Sequence, residues 1–244
     1  MSIWGDPVML GHANYGFSLL DRSDAPFITL EEFWNTYTDH DETWGKFDVH
    51  GTGATKNNED EYLHLSKGTW LTADVQGPGG LTIYGMLKTS ERPFDYEPLY
   101  MVYVKREDGL YAPERESTAL IDLFRYDSGT RTDVQVTDFR PSYYSGITAL
   151  FDTYPYVWHI YALVFDVSGN NIKLFVDGVK KGERTPAYVD RMVCKTLAIA
   201  SNVSGSGGFA EIAIKYCSVV QKADSDALVI ANSENIMSYF GLDE

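Results

Sequence analysis

Four tyrosines in two short polar segments have the side chains best suited to contact a ligand. Tyr143 and Tyr144 lie in the segment PSYYS, and Tyr154 and Tyr156 lie in the segment DTYPY. Tyrosine rings pack against the apolar faces of sugars, while their hydroxyls and neighbouring Asp or Ser side chains form hydrogen bonds. The same composition suits a protein–protein interface, and it also suits rings that close the end of a β-sandwich. The residues leave all three interpretations open.

The acidic residues do not form the pair that glycoside hydrolysis needs. A retaining hydrolase holds two carboxyl groups about 5–5.5 Å apart, which on a strand means two acidic residues on one face. Glu59, Asp60 and Glu61 are adjacent and precede the first predicted strand, and neither Glu211 nor Asp122 has an acidic partner two or four residues away. We therefore expect no catalytic residues and no enzymatic activity.

Calcium is a better candidate ligand than zinc. The five histidines include no pair spaced i,i+4, and no pair of cysteines supplements them. Calcium takes six to eight oxygen ligands. Asp166, Ser168, Asn170 and Asp177 match an EF-hand-like spacing, but the flanking segments are predicted strands. Asp152 and Asp166 bracket the most strongly predicted strand, so we predict a calcium site there, with turn-capping aspartates as the alternative.

Charge and composition exclude several classes of partner. The 244 residues include 20 Lys+Arg and 35 Asp+Glu, a net charge of −15 that repels phosphate backbones and anionic lipid. The first ten residues, MSIWGDPVML, lack the basic and apolar regions of a signal peptide, and no apolar stretch approaches 18 residues. We expect no nucleic-acid partner and no membrane insertion. Cys194 and Cys217 either pair once or are both buried free thiols.

From residue 59 to residue 244 the sequence favours an all-β domain. Short apolar runs recur with Gly, Pro, Asn and Asp between them, and no helical pattern separates them, which is typical of an antiparallel sandwich. Leu228, Ile236 and Phe240 then predict a short C-terminal helix. The predicted strands are Tyr62–Leu65, Leu81–Lys88, Leu99–Lys105, Ala119–Tyr126, Thr132–Phe139, Trp158–Asp166, Ile172–Val176, Val179–Arg184, Thr196–Ala200 and Phe209–Tyr216.

Residues 1–58 lack this alternation and form a predicted N-terminal arm. Thr29 and Glu32 make a capping box, which predicts a short helix over about residues 30–37. We expect the arm to pack on the sandwich or on a neighbouring subunit and to serve in attachment or oligomerisation.

Alternating apolar residues between 158 and 184 predict the centre of the sandwich. One face of two adjacent strands carries Tyr161, Leu163, Phe165, Ile172, Leu174 and Val176, and we expect this face to pack between the two sheets. The dipeptide Asp177-Gly178 predicts a two-residue type I′ turn. Ile160, Ala162 and Val164 make the opposite face apolar as well, so the first of these strands should be covered on both sides.

The residues that form this centre resemble a known family. WHIYALVFD from Trp158 to Asp166 and IKLFVDGV from Ile172 to Val179 are similar to the laminin-G-like and concanavalin A-like jelly rolls, and runs between residues 196 and 216 are similar to their closing strands. Ala210 and Ala213 depart from the polar residues usual on the last strand. The resemblance implies two antiparallel sheets, one of them curved, in a family whose members mostly bind glycans or proteins, in some cases hydrolyse β-glucans, and often hold calcium.

The N-terminal run IWGDPVMLG resembles small structural proteins of phages and prophages of gut bacteria. Together the two resemblances imply a non-catalytic, carbohydrate-binding virion protein, such as a decoration, fibre or adhesin, that presents a lectin-like domain to surface glycans. A structural virion subunit with protein contacts only is the main alternative, and a β-glucan hydrolase or lyase is a weaker one. We expect a homo-oligomer located in the virion or released outside the cell.

Overall fold

The computed structural model describes sixteen strands and one helix. The described residues are 26–28, 43–44, 47–57, 62–77, 80–89, 97–106, 119–127, 132–140, 143–149, 157–185, 192–200, 211–220 and 222–242. Strands β1 to β16 are Pro26–Ile28, Thr43–Trp44, Phe47–His50, Ala54–Asn57, Tyr62–Leu65, Trp70–Gly77, Gly80–Thr89, Glu97–Arg106, Ala119–Asp127, Thr132–Arg140, Tyr143–Ala149, His159–Asp166, Asn171–Val176, Val179–Arg184, Met192–Ile199 and Ile212–Val220. Helix α1 is Asp226–Tyr239.

The strands form two antiparallel sheets. Sheet 1 has the order β14-β13-β12-β7-β16-β5-β4, with β1 paired to the far end of β16. Sheet 2 has the order β11-β10-β9-β8-β15-β6-β3-β2. Strand β7 of sheet 1 contacts β15 of sheet 2, which places the two sheets face to face. The predicted fold class, an all-β antiparallel sandwich with a short C-terminal helix, is confirmed.

The face predicted to lie between the sheets is buried. In the pairing of β12 with β13, Leu163 lies opposite Leu174 and Phe165 lies opposite Ile172, so these residues share one face. All six predicted residues of this face are at most 3% exposed. The turn between β13 and β14 has φ of 50° at Asp177 and 73° at Gly178, the positive values that a type I′ turn requires. The two-residue turn and the packing face are both confirmed.

Helix α1 covers the outer face of sheet 1. Strand residues Tyr84, Met86, Ile160, Ala162, Val164, Phe175, Tyr216 and Val220 form one buried cluster with helix residues Val229 and Ile236. The prediction that the strand beginning near Trp158 is covered on both sides is therefore confirmed. In the described residues, the cover on this side is helix α1.

Polar contacts fix the start of α1 on the sheet. Ser225 caps the helix by accepting a hydrogen bond from the Leu228 amide at 3.3 Å. Asp226, the first helical residue, accepts hydrogen bonds from Lys173 of β13 at 2.7 Å and from Lys180 of β14 at 3.0 Å. A carboxylate at this end of a helix is also favoured by the helix dipole.

Four strands come from the first 58 residues and belong to the sheets. Strand β1 pairs with β16, β2 with β3, β3 with β6, and β4 with β5. The helix predicted over residues 30–37 lies outside the described residues. Attachment or oligomerisation through this segment stays a prediction.

Cys217 is a buried free thiol on β16, and its burial raises the pKa to about 12. The alternative of a disulfide between Cys194 and Cys217 is therefore wrong. The side chain of Cys194 is not among those that the structure describes.

Candidate functional site

The predicted ligand-binding tyrosines fall in two places. Tyr143 and Tyr144 begin β11, the edge strand of sheet 2, opposite Arg140 and Phe139 of β10. Tyr154 and Tyr156 lie outside the described residues. Since neighbouring strand residues belong to opposite faces of a sheet, positions 143 and 144 do not share a face. Ligand contact at the four tyrosines stays a prediction.

Strand register identifies the two faces of sheet 2. Leu71 and Ile199 are Cα partners and fully buried, whereas Trp70 and Thr72 on the opposite face of β6 are half-buried, so Leu71 and Ile199 lie on the inner face, against sheet 1. Their neighbours Thr72 and Ala198 therefore lie on the outer face, where Thr72 is half-buried and Ala198 is fully buried. From there, consecutive Cα pairings define one row across the sheet, formed by Thr72, Ala198, Met101, Asp122, Thr137 and Gly146.

Because the row ends at Gly146, the register places position 144 on the same face of sheet 2 as Thr72. Position 144 is two residues from Gly146 on β11, so it belongs to the outer face, and position 143 belongs to the inner face. Asp74, Thr196 and Tyr103 lie opposite one another in the neighbouring row on the same face. The outer face of sheet 2 thus combines aromatic, hydroxyl and carboxyl residue types.

At the β3–β6 end of this face the side-chain geometry is described. The rings of His50 and Trp70 stack with centroids 4.8 Å apart and planes 18° apart. His50 Nε2 shares a hydrogen bond of 2.8 Å with the Thr72 hydroxyl. All three side chains are half-buried. The hydrogen bond fixes the imidazole, and the imidazole in turn fixes the indole ring of Trp70 on the surface of the sheet.

Sequence reasoning missed Trp70 and His50 because it predicted neither β6 nor β3. The signal available was the alternation in Trp70-Leu-Thr-Ala-Asp-Val75, where the aliphatic residues Leu71, Ala73 and Val75 alternate with Trp70, Thr72 and Asp74. Strand β3 has only four residues, and its partner β6 begins twenty residues after its end. A pattern that short indicates no strand by itself.

The EF-hand-like match is not a metal-binding loop. Asp166 lies in the turn before β13, where its Oδ1 accepts hydrogen bonds from the Ser168 hydroxyl and the Gly169 amide, both at 2.8 Å. Asp177 lies in the turn after β13, where its carboxylate accepts from the Ile160 amide at 2.9 Å. A strand of six residues separates these two turns by about 20 Å. Asp166 therefore matches the turn-capping alternative.

Calcium at Asp152 and Asp166 stays a prediction, because Asp152 lies outside the described residues. Within the described part of the chain, no three His, Cys, Asp or Glu side chains are grouped as metal ligands.

The histidine side chains that the structure describes have structural partners. His159 Nδ1 lies 2.8 Å from Asp177 Oδ2, and His64 Nε2 lies 3.1 Å from Glu211 Oε1. Glu211 is thereby placed beside β5 of sheet 1, whereas Asp122 lies on β9 of sheet 2. These two residues therefore belong to different sheets. Across the described residues, no helix is both long and apolar enough to cross a bilayer.

Comparisons with known proteins show the fold. No protein-family model matches the chain, and no curated protein matches it. Domain 4 of AbnA, an extracellular arabinanase of Geobacillus stearothermophilus in complex with arabinotriose, superposes with a TM-score of 0.56 at 13% identity, over 77% of this chain and 88% of that domain. The sialidase of Trypanosoma rangeli in complex with sialic acid superposes with a TM-score of 0.56 at 12% identity, over 79% of this chain.

This chain spans about 30% of the length of the sialidase. At these identities the similarities establish a shared β-sandwich architecture, in agreement with the concanavalin A-like fold that the sequence resembles.

Proposed function

We propose that this chain is a non-catalytic carbohydrate-binding β-sandwich module with its saccharide site on the outer face of sheet 2. The observation that carries the proposal is the stacked pair of His50 and Trp70, half-buried beside Thr72 on that face. The same face carries Tyr103 and Tyr144 by register.

The chemistry of this face suits a saccharide. A sugar ring has an apolar C–H face that packs on an indole, and hydroxyls that need donors and acceptors around it. Trp70 supplies the aromatic surface at one end of the face. Thr72, Asp122 and Thr137 are the residues of polar type in the row across the sheet, and Ala198 and Met101 lie between Thr72 and Asp122.

Fold similarity supports the proposal as an analogy. Domain 4 of AbnA has the same architecture along nearly its whole length and was determined with arabinotriose. A fold hosts many functions, so the specific argument rests on the residues of sheet 2. The proposal that the module is non-catalytic rests on the separation of Glu211 and Asp122 in different sheets.

The test is a neutral-glycan array, followed by calorimetric titration with arabinotriose and with each glycan that binds. We expect Trp70→Ala to weaken binding about tenfold or more, because the aromatic contact is lost, and Trp70→Phe to weaken it less. Tyr239→Ala is the matched control, because Tyr239 is 41% exposed on helix α1. Binding that is equal in Trp70→Ala and the unsubstituted protein would place the site elsewhere.

Two further measurements test the expectations of no enzymatic activity and of calcium. Release of reducing sugar from β-glucan or arabinan by the purified protein would overturn the non-catalytic assignment. A melting temperature and a glycan affinity that fall on addition of a chelator and recover with Ca²⁺ would support calcium at Asp152 and Asp166. Equal values with and without chelator would contradict it.

The setting we propose for this module is a phage or prophage particle, in a decoration, fibre or adhesin protein. That setting rests on the N-terminal resemblance alone. Electron microscopy of native particles with an antibody against the chain tests it. Labelled particles together with an empty glycan array would favour a structural subunit with protein contacts only.

A further inference from the structure

His50 is a residue of the proposed saccharide site whose charge changes near neutral pH. Its Nε2 atom lies 2.8 Å from the Thr72 hydroxyl oxygen, and its ring stacks on the Trp70 indole with centroids 4.8 Å apart. An imidazole gains its positive charge between about pH 8 and about pH 5. The ring that holds Trp70 therefore adds a positive charge beside the indole when the solution becomes mildly acidic.

Two acidic positions lie near His50 on the same face of sheet 2. Asp48 of β3 is the Cα partner of Thr72 and is two residues from His50, and Asp74 of β6 is two residues beyond Thr72. Carboxyl groups ordinarily titrate near pH 4, so they keep their charge over the range in which the imidazole gains its own. The Cα partners of the two acidic positions are the uncharged residues Thr43 of β2 and Thr196 of β15.

The turn between β5 and β6 also packs near His50, because the backbone of Gly68 lies against Gly51. The charged residue of that turn is Lys67, which is exposed to solvent. Between about pH 5 and about pH 8 an ammonium group does not titrate. Among these described elements, the imidazole of His50 is therefore the group whose charge changes in that range.

While His50 is uncharged, the site should select uncharged saccharides. The acidic positions on this face and the net charge of −15 both repel an acidic saccharide. A protonated imidazole offsets that repulsion locally, because an anionic group that contacts Thr72 is one hydrogen-bonded residue away from the positive charge. Protonation also makes Nε2 a donor to Thr72, so the Thr72 hydroxyl can donate its own proton to the ligand.

We propose that His50 is a specificity-determining residue whose protonation admits acidic saccharides to the site around Trp70. This inference rests on the proposed function, since it concerns the same site on the outer face of sheet 2. Near neutral pH the site binds uncharged glycans, with the sugar packed on Trp70. In mildly acidic solution the imidazolium attracts a carboxylate or sulfate group of the sugar, and the Thr72 hydroxyl donates a hydrogen bond to it.

The test is an array of neutral, uronic-acid and sulfated glycans, probed with the full chain at about pH 5.5 and at about pH 7.5. The anionic groups of these glycans stay ionised at both values. We expect the affinity for acidic glycans, relative to neutral ones, to rise about fivefold at the lower pH, the effect of one added charge near the ligand. The uronic-acid and sulfated arms show which anionic group the site prefers.

Three variants assign the effect to one residue. His50→Phe keeps a flat ring beside Trp70, and His50→Gln keeps a polar side chain, but neither can gain a charge. Both should therefore remove the rise in the ratio of acidic to neutral binding. His64→Phe is the matched control, because it removes an imidazole that lies beside Glu211 on sheet 1, and it should preserve the rise.

The outcomes separate this inference from the proposed function. A ratio that is equal at the two pH values, with neutral glycans bound through Trp70, would overturn the role of His50 and leave the site intact. A rise that persists in His50→Phe or His50→Gln would also overturn it. Absence of binding to every glycan at both pH values would overturn the site itself, and the role of His50 with it.

Discussion

The phenol of Tyr84 donates a hydrogen bond to Asp224 Oδ2 at 2.7 Å, and both residues are buried where the chain passes from sheet 1 to helix α1. Asn232 of the helix donates to the same phenol oxygen at 3.2 Å, and Thr82 accepts from the Asp224 amide at 2.9 Å. Burial chiefly raises the pKa of Tyr84, and the Asp224 carboxylate raises it further. The phenol therefore stays protonated and continues to donate in alkaline solution.

Removal of that donor should destabilise the protein. Tyr84→Phe leaves the buried Asp224 carboxylate without the phenol, and we expect the free energy of unfolding to fall by about 1–3 kcal/mol. Urea denaturation followed by circular dichroism measures it. Tyr62→Phe, at a half-buried tyrosine of β5 whose described contacts are made by its ring, should change stability by less than about 0.5 kcal/mol. Equal losses in the two variants would mean that the hydrogen bond does not anchor the helix.

The packing between the sheets gives a second prediction. Leu163 is fully buried opposite Leu174, so Leu163→Ala should lower the free energy of unfolding by about 2–5 kcal/mol through lost burial and a residual cavity. Val179 on β14 is 56% exposed, and Val179→Ala is the matched truncation at the surface, with an expected loss of less than about 0.5 kcal/mol. A loss below about 1 kcal/mol for Leu163→Ala would show that the site collapses around the smaller side chain.

We expect titration of the Asp226 carboxyl group to make the free energy of unfolding vary with pH. Hydrogen bonds first from Lys173 and then from Lys180 hold the pKa of Asp226 below its ordinary value of 3.8. A carboxyl group whose pKa is depressed by folding stabilises the folded state above its ordinary pKa, and that contribution is lost as the pH falls through the folded-state pKa.

We therefore expect Asp226→Asn to be less stable than the unsubstituted protein at pH 7 and the difference to shrink below about pH 4. The side chain of Asp226 is 41% exposed, so solvent screening keeps the difference small. Urea denaturation at a series of pH values measures it. A difference that is constant down to pH 2 would assign the effect of the substitution to the helix start and not to titration.

The rate at which a thiol reagent labels Cys217 should show whether sheet 1 opens. Its burial and its raised pKa of about 12 keep the thiolate scarce and inaccessible in the folded protein. In a Cys194→Ala background we expect labelling by a thiol reagent to occur only as fast as the protein unfolds, and to accelerate in parallel with the loss of circular dichroism in urea. Rapid labelling without denaturant would mean that the middle of sheet 1 opens locally.

Local patterns predicted the part of the fold made from neighbouring strands. The alternation in Trp158–Asp166 and Ile172–Val176 and the turn at Asp177-Gly178 placed β12, β13 and β14 within one residue of their observed ends. Strand β13 pairs with both of its neighbours along the chain, β12 and β14, so the sequence carries both the apolar face and the turn that sets the register.

Strands β1, β3 and β6 were missed, and so was the described part of the candidate site. Strand β3 pairs with β6 across about twenty residues, and β1 pairs with β16 across nearly the whole chain. The stack of His50 on Trp70 exists only because of such a pairing. The same holds for the hydrogen bond between His50 and Thr72, which depends on the register of β3 on β6. Nothing in the residues adjacent to these positions indicates the contacts.

The positions of β15 and β16 within the two sheets constrain the order in which the chain can fold. Strand β15 separates β6 from β8 in sheet 2, and β16 separates β5 from β7 in sheet 1, although both are the last strands along the chain. During synthesis each sheet therefore exists as two unjoined pieces until residues 192–220 have left the ribosome. Because these late pairings are long-range, they should be slow. Inner strand edges stay open to other chains in that interval, which makes a chaperone or rapid completion of synthesis important for the yield of folded protein.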